Sequence, residues 1–399
     1  MMSTTRRRKK VAIIGTRGYP SYYGGFETLL RHLVPHLAAN GWDVDVYCRD
    51  GVEPISSNAD DDQSDRGRVT QIFTKGFESK SASTLTYGMT SAIDAVTKRR
   101  PDVALVMNVA NGFWLPLLRA RGIPTIVNVD GIEWDRDKWG RLAKKAFRVG
   151  ARMTAKHADE LVFDAEEIGR RWDREFKRDG VFIPYGGTTA HELPADPDYP
   201  RGSYALYVAR FVPENSIEDF IEAAEEIAVS NRVVIVGSSG YGGPIEERVQ
   251  AAAAANKNIS WLGHVSNDDK LHALWANAGA YFHGHSVGGT NPALVQAMAC
   301  GAPVIARDTP YNREVLGDAG VFARPEPADI ARQVARVLDD DGLRDRIALA
   351  ARRRQSTNYT WELVCQKYEA TLSGRLRNCQ EAEKKCRREA ARLTDNSAS

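Results

Sequence analysis

His283-Gly284-His285-Ser286-Val287-Gly288-Gly289-Thr290-Asn291-Pro292 is followed by the apolar run Ala293 to Cys300, a stop at Gly301 and a second short apolar run at Val304 and Ile305. Another apolar segment, Ala280 to Phe282, leads into it. Strand, glycine loop, helix and strand in that order are the unit from which a helix-covered parallel sheet is built. Asn291 suits an N-cap and Pro292 the first helical position, where an N–H has no partner to lose. Unpaired amides and the helix dipole attract phosphate at such a terminus, and Gly288 and Gly289 let it come close. The competing reading is an ordinary capped crossover helix; the glycines and the two histidines favour phosphate.

Outward from this stretch the pattern repeats. Tyr204 to Val208, Val233 to Val236 and Ser260 to Leu262 read as strands of the same sheet. Val11 to Ile14, Val44 to Tyr47, Val103 to Met107, Thr125 to Val129 and Leu161 to Phe163 read as strands of an earlier one. Between the first two lies a helix from Glu27 through Leu29, Leu30, Leu33, Val34 and Leu37 to a stop at Asn40-Gly41, with apolar spacing of three and four. Leu193 to Pro200, LPADPDYP, is the candidate linker, since proline and aspartate cluster there without an apolar period. The expected organisation is an N-terminal Rossmann-like domain over 1–192, a C-terminal one over 201–358 and a helical tail over 359–399.

A chain of 399 residues is too long for one ordinary core, in agreement with two domains. Its 54 Lys and Arg against 52 Asp and Glu give no global charge that calls for nucleic acid. Cys48, Cys300, Cys365, Cys379 and Cys386 form no CxxC pair and fit a reducing compartment. The basic start, Met1 to Lys10, lacks the apolar core of a signal peptide, so the expected location is cytoplasmic. Asn58 to Asp65 reads as a solvated acidic loop, and no metal is expected.

Three further places carry chemistry. Arg210 follows Tyr204 to Val208, and an arginine at the carboxyl end of a parallel strand points to the ligand crevice of an open α/β sheet, where its fork matches two phosphate oxygens. A surface salt bridge is the alternative. Gly15-Thr16-Arg17-Gly18-Tyr19-Pro20 and Tyr23-Gly24-Gly25-Phe26-Glu27-Thr28 follow the first strand, but this is not the dinucleotide fingerprint GxGxxG, and the loop is expected to form a lip of the site. After Thr125 to Val129 come Asp130-Gly131-Ile132-Glu133-Trp134-Asp135-Arg136-Asp137-Lys138-Trp139, where carboxylates suit sugar hydroxyls and indoles suit sugar C–H faces. Asp130 is the candidate catalytic group. From Lys138 onward, Arg141, Lys144, Lys145, Arg148, Arg152 and Lys156 interleave with apolar residues, a pattern that fits either a solvated face or contact with anionic lipid.

The stretches GTRGYPSYYGGFET (Gly15 to Thr28), DGIEWDRDKW (Asp130 to Trp139), VFIPYGG (Val181 to Gly187), VARFVPEN (Val208 to Asn215), His283 to Ala306 and NREVLGDAG (Asn312 to Gly320) together resemble family 4 of the retaining GT-B glycosyltransferases, in its bacterial rhamnosyltransferase-like branch. The resemblance implies an α/β fold of two Rossmann-like domains facing a cleft, closed by a hinge near Gly187 to Pro200, with a C-terminal helix. It also implies a nucleotide-sugar donor and a glycan or glycolipid acceptor, without a metal cofactor. On the donor it places Gly24, Gly25, Arg210, Asn215, His285, Gly288, Gly289, Thr290, Asn291 and Gln296. On the acceptor it places Arg17, Tyr19, Glu133 and Trp134, with Asp130 and Arg210 as the catalytic pair. Where the family commonly has two glutamates, this chain has Gly288 and Gln296, and Asn215 replaces a frequent lysine. Gln296 at the ribose position suggests a deoxyribose donor, dTDP-rhamnose. A UDP- or GDP-hexose donor and a nucleotide-sugar-binding protein without catalysis are the alternatives.

Overall fold

Continuous rather than alternating apolar runs form strands buried on both faces, as parallel sheets require. Val11, Ala12 and Ile13 are wholly buried, as are Val233, Val234 and Ile235. In the first half the strands are β1 (Lys9–Ile14), β2 (Trp42–Arg49), β3 (Val69–Thr74), β4 (Val103–Met107), β5 (Thr125–Asn128), β6 (Glu160–Phe163) and β7 (Val181–Phe182). They lie in the order β3-β2-β1-β4-β5-β6-β7, and every pair is parallel. The second half holds β8 (Tyr204–Val208), β9 (Arg232–Val236), β10 (Ile259–Trp261), β11 (Ala280–His283), β12 (Val304–Arg307) and β13 (Val321–Ala323), in the order β10-β9-β8-β11-β12-β13, again all parallel. Each sheet is the doubly wound pattern, in which the chain reverses its direction of travel between β1 and β4 and between β8 and β11. Ligands of such sheets bind outside the carboxyl ends of the strands at that reversal.

The computed structural model describes residues 8–21, 24–50, 68–77, 83–136, 139–189, 193–240 and 242–396, without the side chains of 380 and 382–396. The acidic loop Asn58 to Asp65, Tyr23, Asp137, Lys138 and the charged tail side chains from Glu383 to Glu389 lie outside the described residues.

The chain divides into two compact units. One comprises Met1–Phe163, Gly169–Ile183 and Cys365–Ser399; the other comprises Asp164–Ile168 and Pro184–Val364. Leu193 to Pro200 lies within the second unit, where Asn277 Nδ2 donates to Leu193 O and the Tyr199 ring packs on Tyr204. Helix Gly25–Ala39 buries Leu29, Leu30, Leu33, Val34 and Leu37 in the first unit and stops at Asn40 and the left-handed Gly41. Tyr207, Phe220 and Phe282 stack in the core of the second, with centroids 4.7 Å and 5.4 Å apart along the series. The last helix is Trp361–Asn396, within the stretch read as a helical tail. Cys365, Tyr368 and Leu372 are buried, and Asn128 Nδ2 donates to the Tyr368 hydroxyl at 2.6 Å, which makes this part of the helix a core element of the first unit. Among the described residues no helix is long and apolar enough to cross a membrane.

Candidate functional site

In the second unit, the loops after β8 and β11 leave adjacent strands at the reversal point. Gly237, at φ +133°, shows why the first loop can turn there: a Cβ would sit 1.8 Å from Ala209 O. Beyond this contact the Arg210 side chain is exposed, and its guanidinium has no ion pair or hydrogen bond among the described residues. Among the described residues, then, no surface salt bridge occupies it. Its carbonyl is held by Val212 N at 3.0 Å and by Asn215 Nδ2 at 2.8 Å. Asn215 is buried, so its amide shapes the turn that carries Arg210 rather than facing a ligand. The two loops are knitted together. Tyr207 Oη donates to Asn215 O at 2.9 Å, and Ser286 donates to Glu214 O through its backbone N at 2.8 Å and its hydroxyl at 2.9 Å. Gly284 permits this closeness, because a Cβ there would meet Asn215 O at 2.2 Å.

His283 is wholly buried, with Nδ1 3.1 Å from the Tyr281 hydroxyl. Its ring stacks on His285 with centroids 4.3 Å apart. Burial first, and the neighbouring His285 second, hold its pKa well below the ordinary imidazole range, so it is neutral at physiological pH. His285 O and Arg307 O are both held by Asn312 Nδ2, at 2.9 and 2.8 Å, which braces the loop from the far side. Gly288 takes φ +109° with open space around its Cα, whereas Gly289 packs on Asp164, whose Oδ1 would lie 2.1 Å from an added Cβ. Thr290 donates to Asp164 O through its amide at 3.1 Å and also through its hydroxyl. Asn291 then caps helix Pro292–Cys300, its Oδ1 accepting from Ala293 N at 3.0 Å, and Gly301 ends the helix in the left-handed conformation.

Gln296 behaves differently from the ribose contact expected of it. Its Oε1 accepts from Thr188 N at 2.9 Å and its Nε2 donates to Thr188 O at 2.8 Å, so both head atoms are committed to backbone. A glutamate cannot donate the second bond, which gives a local reason for glutamine here.

In the first unit, three neighbouring strands end in left-handed residues: Gly15 after β1 at φ +99°, Asn108 after β4 at +69° and Asp130 after β5 at +60°. Asn and Asp tolerate this region better than other side-chain-bearing residues because they bond locally. Asp130 N donates to Asn128 Oδ1 at 2.9 Å, and Asn108 Nδ2 reaches Asp130 Oδ2 at 3.5 Å. Gly15 is required by approach as well as by φ, since a Cβ would lie 2.5 Å from Met107 O. Non-glycine residues in such conformations cost on the order of 1 kcal/mol and collect at functional edges. Arg17 is placed by backbone, its N donating to the buried Glu27 at 2.9 Å and its O accepting from Arg49 N. Tyr19 O accepts from Gln71 Nε2 at 2.6 Å, and Gly24 precedes the helix that Gly25 begins, its O accepting from Thr28 N.

Two residues expected on the acceptor lie inside. Glu133 is 3% exposed and is held by Trp139 Nε1 at 2.7 Å and Arg136 Nε at 2.9 Å. Trp134 is 6% exposed, packed edge-on against Phe176 and near Trp172, so its ring faces are core surface rather than a platform for sugar. Glu27 was read only as a helix start and loop residue, not as the acceptor of Arg17 N, and Asp164 escaped the sequence reading. The first had a signal in its position one turn into a helix behind a glycine loop, while the second makes its contacts far along the chain. Among the described residues no group of three or more His, Cys, Asp or Glu has the arrangement of a metal site.

Residues 196–354 match the glycosyl transferases group 1 family, and residues 8–188 match a domain of unknown function (DUF1972). The O-antigen chain mannosyltransferase B of Escherichia coli is 28% identical over 164 residues, 40% of this chain and 42% of that protein. The phosphatidyl-myo-inositol mannosyltransferase of Mycolicibacterium smegmatis is 32% identical over 208 residues, 50% of this chain and 53% of that protein. The chain thus spans about half the length of these curated relatives in the matched regions. The fold as a whole is similar to that of the sucrose-phosphate synthase of Thermosynechococcus elongatus, with a TM-score of 0.76 at 18% identity over 92% of this chain and 99% of that one. Two Rossmann-like units of this kind are the GT-B fold.

Proposed function

We propose that the chain transfers a hexosyl group from a nucleoside-diphosphate sugar to a hydroxyl of a lipid-linked or polysaccharide acceptor, with retention at the anomeric carbon. One observation carries the reading. An exposed guanidinium without a partner among the described residues, Arg210, shares the reversal-point edge of the second sheet with the glycine loop and the Asn291-capped helix. As the glycosidic bond breaks, negative charge builds on the departing diphosphate, and Arg210 with the first-turn amides stabilises it there. Gly288 leaves room for the phosphates. Asn215, Thr290 and Gln296 support through backbone: Asn215 holds the Arg210 turn, Thr290 the glycine loop, and Gln296 the segment at Thr188. Asp130, on the corresponding edge of the first unit, is the carboxylate proposed to meet the acceptor hydroxyl.

The two mannosyltransferase relatives favour a hexose donor, and the family resemblance of the GGTNP loop keeps dTDP-rhamnose among the candidates. Helix Arg141–His157 has no acidic residue and leaves Leu142 85% exposed, which fits an acceptor presented at an anionic membrane surface. The reading is tested by incubating the protein with GDP-mannose, UDP-glucose, UDP-N-acetylglucosamine and dTDP-rhamnose and a polyprenyl-diphosphate-linked saccharide. Release of nucleoside diphosphate with a new glycoside of unchanged anomeric configuration by NMR is expected from at least one donor. Binding of a donor without turnover on any acceptor would leave a binding protein in place of an enzyme.

A further inference from the structure

A cavity of the first unit lies at the opposite end of its sheet from Gly15, Asn108 and Asp130. It has a volume of about 490 Å³ and opens where β1, β4 and β5 begin. That volume is in the range of small-molecule sites. Its floor is apolar, with Val96, Ile123 and Leu376, while its rim carries Arg8, Lys9, Arg100 and Arg121 against one acid, Asp102. The rim cations are not equivalent. Arg8 is paired with Asp43 at 3.7 Å, and Lys9 donates to Ser373 Oγ at 3.0 Å while lying over the Trp42 ring. Asp102 accepts from Lys10 N at 2.8 Å, which directs one of its oxygens to the strand. Arg100 and Arg121 have no ion pair or hydrogen bond from their guanidinium groups among the described residues. Arg100 is also held at φ +47°, its N donating to Ala95 O at 2.8 Å, so the backbone that presents it is fixed.

We propose that this cavity is a second anion site, which binds a phosphate-bearing ligand through Arg100 and Arg121, with the apolar floor taking its non-phosphate part. Two forks unpaired among the described residues, above a concave apolar surface, match a phosphoryl group attached to a hydrophobic or sugar body, since guanidinium binds phosphate in a bidentate way. The site stands apart from the donor reading, because every lining residue belongs to the first unit and to the amino ends of its strands.

Cys379 lines the cavity and supplies a local reporter. The full chain carrying Arg210→Ala, which removes the arginine proposed for the donor, is alkylated with iodoacetamide, and modification at Cys379 is followed by peptide mass spectrometry. Inorganic pyrophosphate, phosphatidylglycerol vesicles and phosphatidylcholine vesicles are compared as protectants. At about ten times the dissociation constant, mass action leaves roughly one site in eleven open, so alkylation slows about tenfold. Protection by pyrophosphate identifies a soluble phosphorylated ligand; protection by phosphatidylglycerol alone identifies a lipid headgroup. In both cases adding Arg100→Gln and Arg121→Gln abolishes it, with the circular dichroism spectrum unchanged. Equal alkylation under all conditions, or protection that survives both glutamines, would overturn the proposal. Neither result depends on whether the protein transfers sugar.

Discussion

Arg210 can be replaced without leaving a buried hole, so its substitution reads chemistry rather than folding. Arg210→Ala is expected to lower turnover about a hundredfold or more, the scale for losing one preorganised donor to a developing anion, with a melting temperature within about 2 °C of the parent. A direct transfer assay beside a thermal scan checks both. His283 offers a second test. Its folded pKa lies below the 6.5 of an unfolded histidine, so the unfolded chain binds more protons once the pH falls past that value. The stability it contributes is therefore complete above pH 6.5 and is lost as pH drops toward the folded pKa. Urea midpoints at about pH 7.5 and about pH 5.5 will show an acid loss that His283→Phe reduces; an unchanged difference would contradict this assignment. At this scale the sequence disclosed what depends on near neighbours, such as the Asn291 cap. It did not disclose the burial of Trp134, because Trp172 and Phe176 cover it from a later helix.

Elements are positioned by close backbone approaches more than by side-chain bonds. Gly237 and Gly284 flank the turn that carries Arg210, and each would drive a Cβ into a carbonyl oxygen, at 1.8 and 2.2 Å. Backbone cannot swing aside as a flexible side chain does. Gly237→Ala and Gly284→Ala are thus expected to cost more than about 2 kcal/mol each by denaturant titration, and to weaken nucleotide binding as the turn moves. Asn291→Ala removes one cap bond and is expected to cost about 1 kcal/mol. Equal costs for the three would contradict this ranking. Strands β1, β2, β4, β5, β6 and β8 to β12 were legible because each carries a short, mostly apolar run. β3, β7 and β13 were not: β3 is only partly buried, and β7, at 2 residues, is too short for any period to register.

For the whole molecule, alternating strands and helices already implied two doubly wound sheets, and both strand orders follow that pattern. The sequence could not show that Asp164–Ile168 clusters with the second unit, or that Cys365 onward clusters with the first. Those assignments arise from contacts such as Thr290 with Asp164 and Asn128 with Tyr368, between residues far apart along the chain. The basic helix Arg141–His157 makes a further claim at this scale. If it meets anionic lipid, Lys144→Glu with Lys145→Glu will reduce sedimentation with phosphatidylglycerol vesicles by about tenfold or more, since each surface cation contributes on the order of 1 kcal/mol. The account turns on a nucleoside diphosphate being held at the reversal point of the second sheet. Calorimetric titration of UDP, GDP and dTDP into the parent and Arg210→Ala proteins measures this directly. At least one nucleotide is predicted to bind the parent and to lose about tenfold or more in affinity without the guanidinium, as for a charge-assisted hydrogen bond. Equal affinity in the two proteins, or no binding of any nucleotide to the parent, would contradict it.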